Sequence, residues 1–301
     1  MYNIGQGRIE KIDYDSSCWV YNPTHGFMYE GKKTLAARVE PRNNPFDSKV
    51  KFFQQDNDAV WRVNEQLPTF KMEDPFISVF NGEYLLGGVE VDSIDNDILT
   101  GYRTVFYSGR TLNDLHKVAH GPESMKDIRL LPLENGKTAV FARPKPFNSQ
   151  TALENGRIAF AEVTNLDELL LKIPEAVVLP NLYTEMQWGG SNQVLRLQNG
   201  NVAVLAHEAY FDEKGRNYDT TIFEFDMKTK QAISENVLVQ RDVFPMTEAK
   251  TEELFPVVFP GGIAPTSDTE IFTLYAGISD AAIGTIDFRW PLQSLPVLSL
   301  Y

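Results

Sequence analysis

An all-β chain folded as a five-bladed β-propeller is what this sequence predicts, and three observations carry the prediction: paired turn and strand signals that recur, their near-regular spacing, and a scarcity of helix. Glu30-Gly31-Lys32-Lys33 precedes the run Thr34–Val39, and Asn81-Gly82 precedes Glu83–Leu86. Asn135-Gly136-Lys137 precedes Thr138–Ala142, Asn199-Gly200-Asn201 precedes Val202–Ala206, and Ser267-Asp268-Thr269 precedes Glu270–Tyr275. Successive turns are 51, 54, 64 and 68 residues apart, which leaves room for about four short strands per unit, the content of one blade. Asn-Gly between apolar runs is a hairpin signal, because a type I′ turn needs φ > 0 at both central residues.

Between these units lie secondary hairpins at Asn155-Gly156-Arg157 and Asp226–Thr229, flanked by β-branched and aromatic residues. The best helix is Asn165–Leu171, stopped by Pro174. Val297–Tyr301 reads as a strand that completes a blade begun near the N-terminus. With no linker in the pattern, residues 1–301 are expected to form a single catalytic domain.

The net charge of −13 is spread along the chain and argues against nucleic acid as a partner, while leaving room for a small anion in a local basic pocket. No apolar run approaches the roughly eighteen residues of a membrane span, so no membrane partner is expected. The N-terminus lacks a secretory pattern, and Cys18, the single cysteine, cannot form an intrachain disulfide; a reducing cytoplasm fits both. Cys18 lies beside Trp19 and Val20 and reads as a small core hydrophobe. A homo-oligomer is compatible with the sequence.

The segment Phe70–Gly88 organises the candidate chemistry. In Glu73-Asp74-Pro75, the proline is expected to hold Asp74 extended where a strand begins, with its carboxylate at the mouth of the Asn81-Gly82 hairpin. Capping a turn is the other reading of Asp74. Arg38-Val-Glu-Pro-Arg42 sets two guanidinium groups around a carboxylate, and Arg103 and Arg110 flank the next strand region. Arg143 and Lys145 stand between prolines on a strand exit, where a stiff backbone lets both serve as an anion clamp; a basic surface turn is the alternative. Gln187-Trp188-Gly-Gly-Ser191-Asn is either a sugar-stacking platform or a β-bulge. His207 closes an apolar strand, as does Asp280 in Tyr275-Ala-Gly-Ile-Ser-Asp280.

Other chemistries lack their motifs. Gly5-Gln-Gly7 has no strand before it and no helix after it, and the chain has no Gly-x-x-x-x-Gly-Lys-Ser/Thr phosphate loop, no His-Glu-x-x-His, no cysteine cluster and no Gly-x-Ser-x-Gly elbow. Metal and serine-nucleophile sites are therefore not expected.

Taken in order, Arg38–Arg42, Glu73-Asp74-Pro75, Asp127 through Arg143-Pro144, Gly190 through His207, and Val258–Gly262 through Tyr275–Asp280 resemble the five-bladed propellers of glycoside hydrolase family 130, the β-mannoside phosphorylases. They resemble still more the shorter mannosyltransferase/phosphorylases of glycosyltransferase family 108 and their bacterial relatives. The likeness spans roughly residues 30 to 290. One departure is Phe76, where family 130 shows Glu-Asp-Pro-Arg; it removes a cation from beside the acid.

The resemblance implies inverting phosphorolysis of β-mannosides, β-1,2-linked ones first, and reverse mannosyl transfer from mannose 1-phosphate. Inorganic phosphate is then a co-substrate, and no cofactor or metal is needed. It implies Asp74 as the acid that protonates the glycosidic oxygen, Arg103, Arg143, Lys145 and His207 around phosphate, and Arg38, Asp127, Trp188 and Asp280 around the sugar. An inverting hydrolase needs a second carboxylate to activate water, whereas phosphate is already a nucleophile and calls only for cations. The alternatives are a propeller glycosidase using Asp74, Asp127, Glu208 or Asp280, and a carbohydrate-binding propeller without catalysis.

Overall fold

The computed structural model describes residues 2–95, 98–144, 155–213 and 215–297. They form five sheets arranged as the blades of a propeller, antiparallel throughout except where Lys11–Asp13 pairs in parallel with Val60–Val63 in the first. β1 (Asn3–Ile9) leaves the chain start for the last blade. Blade one holds β2 (Lys11–Asp13), β3 (Cys18–Pro23), β4 (Phe27–Tyr29), β5 (Lys32–Pro41), β6 (Lys49–Gln55) and β7 (Val60–Val63). Blade two holds β8 (Glu73–Phe80), β9 (Glu83–Asp95), β10 (Ile98–Gly109) and β11 (His116–His120). Blade three holds β12 (Arg129–Pro132), β13 (Thr138–Ala142), β14 (Ala159–Val163) and β15 (Val177–Val178). Blade four holds β16 (Trp188–Arg196), β17 (Val202–Asp212), β18 (Gly215–Asp226) and β19 (Gln231–Val239). Blade five holds β20 (Val258–Pro265), β21 (Ile271–Ile278) and β22 (Ala282–Arg289), completed by β1.

Four of the five predicted turns join the innermost strand of a blade to its second strand, and Glu30-Gly31 joins β4, which follows β3 along the same edge of β5, to β5; this is why they recur at blade spacing. Asn81 and Gly82 take φ +52° and +81°, and Glu30 and Gly31 take +49° and +76°, as type I′ turns require. Middle strands are buried on both faces, so they read as continuous apolar runs: every residue of Thr138–Ala142 is buried. Aromatic side chains fill the gaps between blades. Phe141 of blade three meets Phe225 of blade four edge-on at 5.1 Å, a pair of fully buried rings each contributing about 1.5–3 kcal/mol by burial.

The fold settles two expectations differently or in part. The blade that takes in the chain start is the last one, closed by β1 pairing antiparallel with β22. The strand expected at Val297–Tyr301 lies outside the described residues but for Val297, whose amide donates to the Arg196 carbonyl at 2.7 Å beside the bridge between Pro296 and Leu197. The predicted helix is split. Asn165 caps a 3₁₀ turn, Leu166–Glu168, by accepting from the Asp167 amide, and a single α turn, α1 (Leu169–Lys172), follows. Cys18 is half-buried and packs at the edge of a core cluster with Val20 and Phe53.

The inner strands β3, β8, β12, β16 and β20 stand around the propeller axis and all run the same way, each touching the next. Their N-terminal ends therefore gather on one face of the disc, and Glu73, Asp74, Asp127 and Trp188 gather with them.

Candidate active site

Asp74 is the residue whose backbone departs furthest from expectation. Its φ is +47°, a left-handed conformation rather than the extended one that Pro75 favours. The cause is a bulge at the start of β8: Glu73 pairs with Val89, but the next register partner is Phe76 with Gly87. Asn22, Asp127, Ser279 and Asp280 also have positive φ, between +44° and +60°. Such conformations cost about 1–3 kcal/mol each and cluster where the surroundings over-determine them, commonly at functional sites.

The Asp74 carboxylate accepts from the Asn22 amide at 2.8 Å and from Arg38 Nη1 at 3.3 Å. Arg38, from β5, is nine-tenths buried and is the hub of a network. Its Nη2 pairs with Glu40 at 2.7 Å and with Glu73 at 2.9 Å, and its Nε donates to Ser48. Glu40 in turn binds Lys250 at 2.5 Å and accepts from the Tyr21 hydroxyl at 2.8 Å. Of the two guanidinium groups the sequence sets around Glu40, Arg38 is the one buried against it, while Arg42 leaves for Glu248 and stacks on Trp19.

Burial favours the neutral form of Asp74, but Arg38, Lys126 and the Asn22 amide outweigh it and hold the carboxyl below its ordinary value. Glu73 goes the other way, raised by burial against the pull of Arg38. Asp280 is raised to about 6, chiefly by burial, with Arg38, Asp74 and Lys250 as its charged neighbours.

Facing this acidic side is a basic one. Arg143, at the exit of β13, pairs with Asp127 at 2.8 Å. His207 stands behind it, 1% exposed, with Nδ1 2.8 Å from the Asn192 side-chain oxygen and Nε2 3.3 Å from Arg143 Nη1. That pairing places the proton on Nδ1 and leaves Nε2 to accept. Burial pushes the imidazole down to about 3, so His207 is neutral and orients Arg143. Asp127 is held at about 2, because Arg143 and His207 overcome the effect of its burial.

A cavity of about 370 Å³ opens between the two sides. Glu73, Lys126 and Arg143 line it, with Trp188, Phe211, Arg216 and Tyr218 across from them. Trp188 and Phe211 stack at 5.1 Å, Phe211 is 62% exposed, and the Arg216 guanidinium lies over Phe211. Lys126 and Arg216 make no ion pair among the described residues, so their charge is available to a ligand. Of the sequence candidates, Arg143 and Trp188 line this cavity, while Arg38, Asp74, Asp127, His207 and Asp280 are linked to its wall by the ion pairs, hydrogen bonds and charge interactions above. Arg103 is not on the cavity wall and approaches Glu123 at 3.9 Å. Lys145 lies outside the described residues.

Sequence reading missed Lys126, Arg216, Asn22 and Lys250. Lys126 was signalled only by standing next to Asp127. Arg216 sits near the tip of the β17–β18 hairpin, where no pattern sets it apart from a solvated turn. Phe76, where the family resemblance expects an arginine, is covered by a cation from the next blade, Arg129, 3.8 Å over its ring. Among the described residues no group of three His, Cys, Asp or Glu is placed to hold a metal ion.

Comparison with solved structures finds the same fold in mannose-active enzymes. The chain is similar to a mannose phosphorylase from Leishmania mexicana solved with a phosphate ion, at 28% identity, covering 99% of this chain and 93% of that one, with a TM-score of 0.88. It is similar to a GDP-Man-dependent mannosyltransferase from the same organism at 28% identity, covering 96% and 91%, with a TM-score of 0.84. A β-1,2-mannobiose phosphorylase from Listeria innocua shares the fold at 15% identity, covering 92% of each chain, with a TM-score of 0.67. No sequence among curated proteins matches. Residues 9–294 match the profile of a family described as a protein of unknown function, DUF1861, and the chain belongs to that family.

Proposed function

We propose that this enzyme cleaves β-mannosides with inorganic phosphate, β-1,2-linked ones first, and in reverse transfers mannose from mannose 1-phosphate. The observation that carries this reading is the charge inventory of the pocket: Lys126, Arg143 and Arg216 line it, Asp74 in strained backbone feels the Lys126 charge, and the nearby carboxylates Glu73 and Asp127 are already bound to Arg38 and Arg143. Water entering beside those cations would find no free base, whereas phosphate needs none. The phosphorylase and mannosyltransferase at 28% identity support the same reading.

In this mechanism a phosphate oxygen attacks the anomeric carbon, the bond from that carbon to the glycosidic oxygen breaks, and the departing oxygen takes the proton of Asp74. A single displacement on a β-mannoside yields α-mannose 1-phosphate. Asp74 rests ionised because Arg38 and Lys126 favour its charge. A phosphate dianion held by Lys126 cancels part of that pull and raises the affinity of Asp74 for the proton it must deliver. Asp280, with no hydrogen bond among the described residues and on the Asp74 side, is free to hold a sugar hydroxyl, and Trp188 with Phe211 offers an apolar face for a sugar ring.

The test is cleavage of β-1,2-mannobiose with and without phosphate, followed by phosphorus and proton NMR. Cleavage should stall without phosphate and give α-mannose 1-phosphate with it. Free mannose at the same rate in both conditions would replace phosphorolysis by hydrolysis, with Asp280 as the base to examine. Transfer from GDP-mannose but not from mannose 1-phosphate would overturn the donor.

A further inference from the structure

The face of the disc opposite Asp74, where the inner strands end, carries a cleft of about 220 Å³ between β8, β12 and β16. Ile77, Leu130, Val194 and the ring of Phe76 wall it. Arg129 also lines it, 5% exposed and flat on Phe76. Its Nε donates to the Asn192 carbonyl at 2.5 Å and its Nη1 to the Ile128 carbonyl at 3.1 Å, both neutral acceptors. Nη2 donates to no described group, and Arg129 makes no ion pair among the described residues.

A guanidinium has five N–H donors and no acceptor, and burying it without a counter-charge is costly. The carboxylates that act on Arg129 through space, Asp127 and Asp74, are each turned to another arginine, at 2.8 and 3.3 Å. Burial accordingly lowers the pKa of Arg129 to about 10. Nearby amides are also engaged, Asn192 with the Pro260 carbonyl and Gln193 with the Ile263 backbone. Arg196, the second arginine on the wall, is engaged by Glu134 and the Pro132 carbonyl, both at 2.6 Å, so the cleft offers the free edge of Arg129 and the Ser78 hydroxyl among mainly apolar neighbours.

We propose that this cleft binds a small monovalent anion, chloride or a short carboxylate, on the Nη2 edge of Arg129. A doubly charged phosphate suits it poorly, because desolvation cost climbs steeply with charge and the other donors on the wall, Asn192, Gln193 and Arg196, are already engaged. Bound there, the anion would tie Phe76 of β8, Arg129 of β12 and, through its carbonyl, Asn192 of β16 around one charge. The site is independent of the phosphorylase reading.

The experiment is thermal unfolding of the full chain in phosphate-free buffer at constant ionic strength, with sodium gluconate replaced stepwise by chloride, acetate or phosphate. Chloride or acetate should raise Tm along a saturating curve by roughly 2–4 °C, and the curve should be flat in Arg129→Met. Saturation by one of the two names the anion. A rise seen with phosphate alone, a response without saturation, or a saturating rise retained in Arg129→Met would each overturn the proposal. Should that variant fail to fold, Ser78→Phe, which fills the cleft from its wall, must abolish the rise. On the unaltered protein, chloride NMR must show line broadening that acetate removes; broadening indifferent to acetate, or none with a flat acetate curve, would also overturn it.

Discussion

Asp74 carries its carboxylate on a backbone with φ +47°, a region that asparagine tolerates as readily as aspartate, so Asp74→Asn is a clean probe of the proton. The amide oxygen can still accept from Asn22, but the group has no proton to release at the glycosidic oxygen. The variant should fold with an unchanged circular-dichroism spectrum and lose turnover by about 10²–10⁴-fold. A folded variant with near-normal kcat would remove Asp74 from the mechanism. His207 shows how environment sets a side chain's part: with its Nδ1 on Asn192 and its pKa near 3, it is an acceptor for Arg143 and not a cation for phosphate.

Strand β16 opens with Trp188-Gly189-Gly190, and the glycines have a packing reason. A Cβ on Gly190 would overlap the Asp127 carboxylate, and one on Gly189 would overlap the His207 carbonyl and the Tyr183 ring. The pair brings two neighbouring strands close enough to hold Asp127 between Gly190 and Arg143. Gly277 plays the same part in blade five, since a Cβ there would strike Asn22, the amide that holds Asp74. Gly190→Ala should therefore displace Asp127, cost about 1–3 kcal/mol of stability by overpacking, and raise the phosphate KM through Arg143. Gly200→Ala, in a hairpin where a Cβ meets nothing within 4 Å, should cost only left-handed strain and leave KM alone. Equal KM values for the two variants would rule out this role for Gly190.

Closure of the ring depends on the chain start. Glu10, just after β1, accepts from Thr285 of β22 at 2.5 Å through one oxygen and from Trp61 of β7 at 2.7 Å through the other, joining blade five to blade one. Trp61 is fully buried, so its indole N–H has nowhere else to turn. Glu10→Ala should lower stability by about 1–3 kcal/mol, seen as a lower Tm, with Glu10→Gln losing less because its amide oxygen keeps one of the two bonds. An unchanged Tm for Glu10→Ala would show that blade packing alone closes the disc.

Blade number, hairpin turns and the order of the site segments were legible in the sequence because they rest on local rules: Asn-Gly needs positive φ, and doubly buried strands need unbroken apolar runs. The neighbours at 28% identity agree with the family resemblance read from those segments. Asp74 could be picked out locally, but its bulge could not, since the register shift against β9 is set by a partner strand. The same holds for Arg129, which reaches Phe76 from the next blade, and for Arg216, which joins the cavity only when a long hairpin folds over Trp188. The place of the chain start was also decided in three dimensions, because only pairing with β22 puts β1 in the last blade rather than the first. Local chemistry determined what each blade is; long-range pairing determined which charges share a cavity and which one is left buried without a partner.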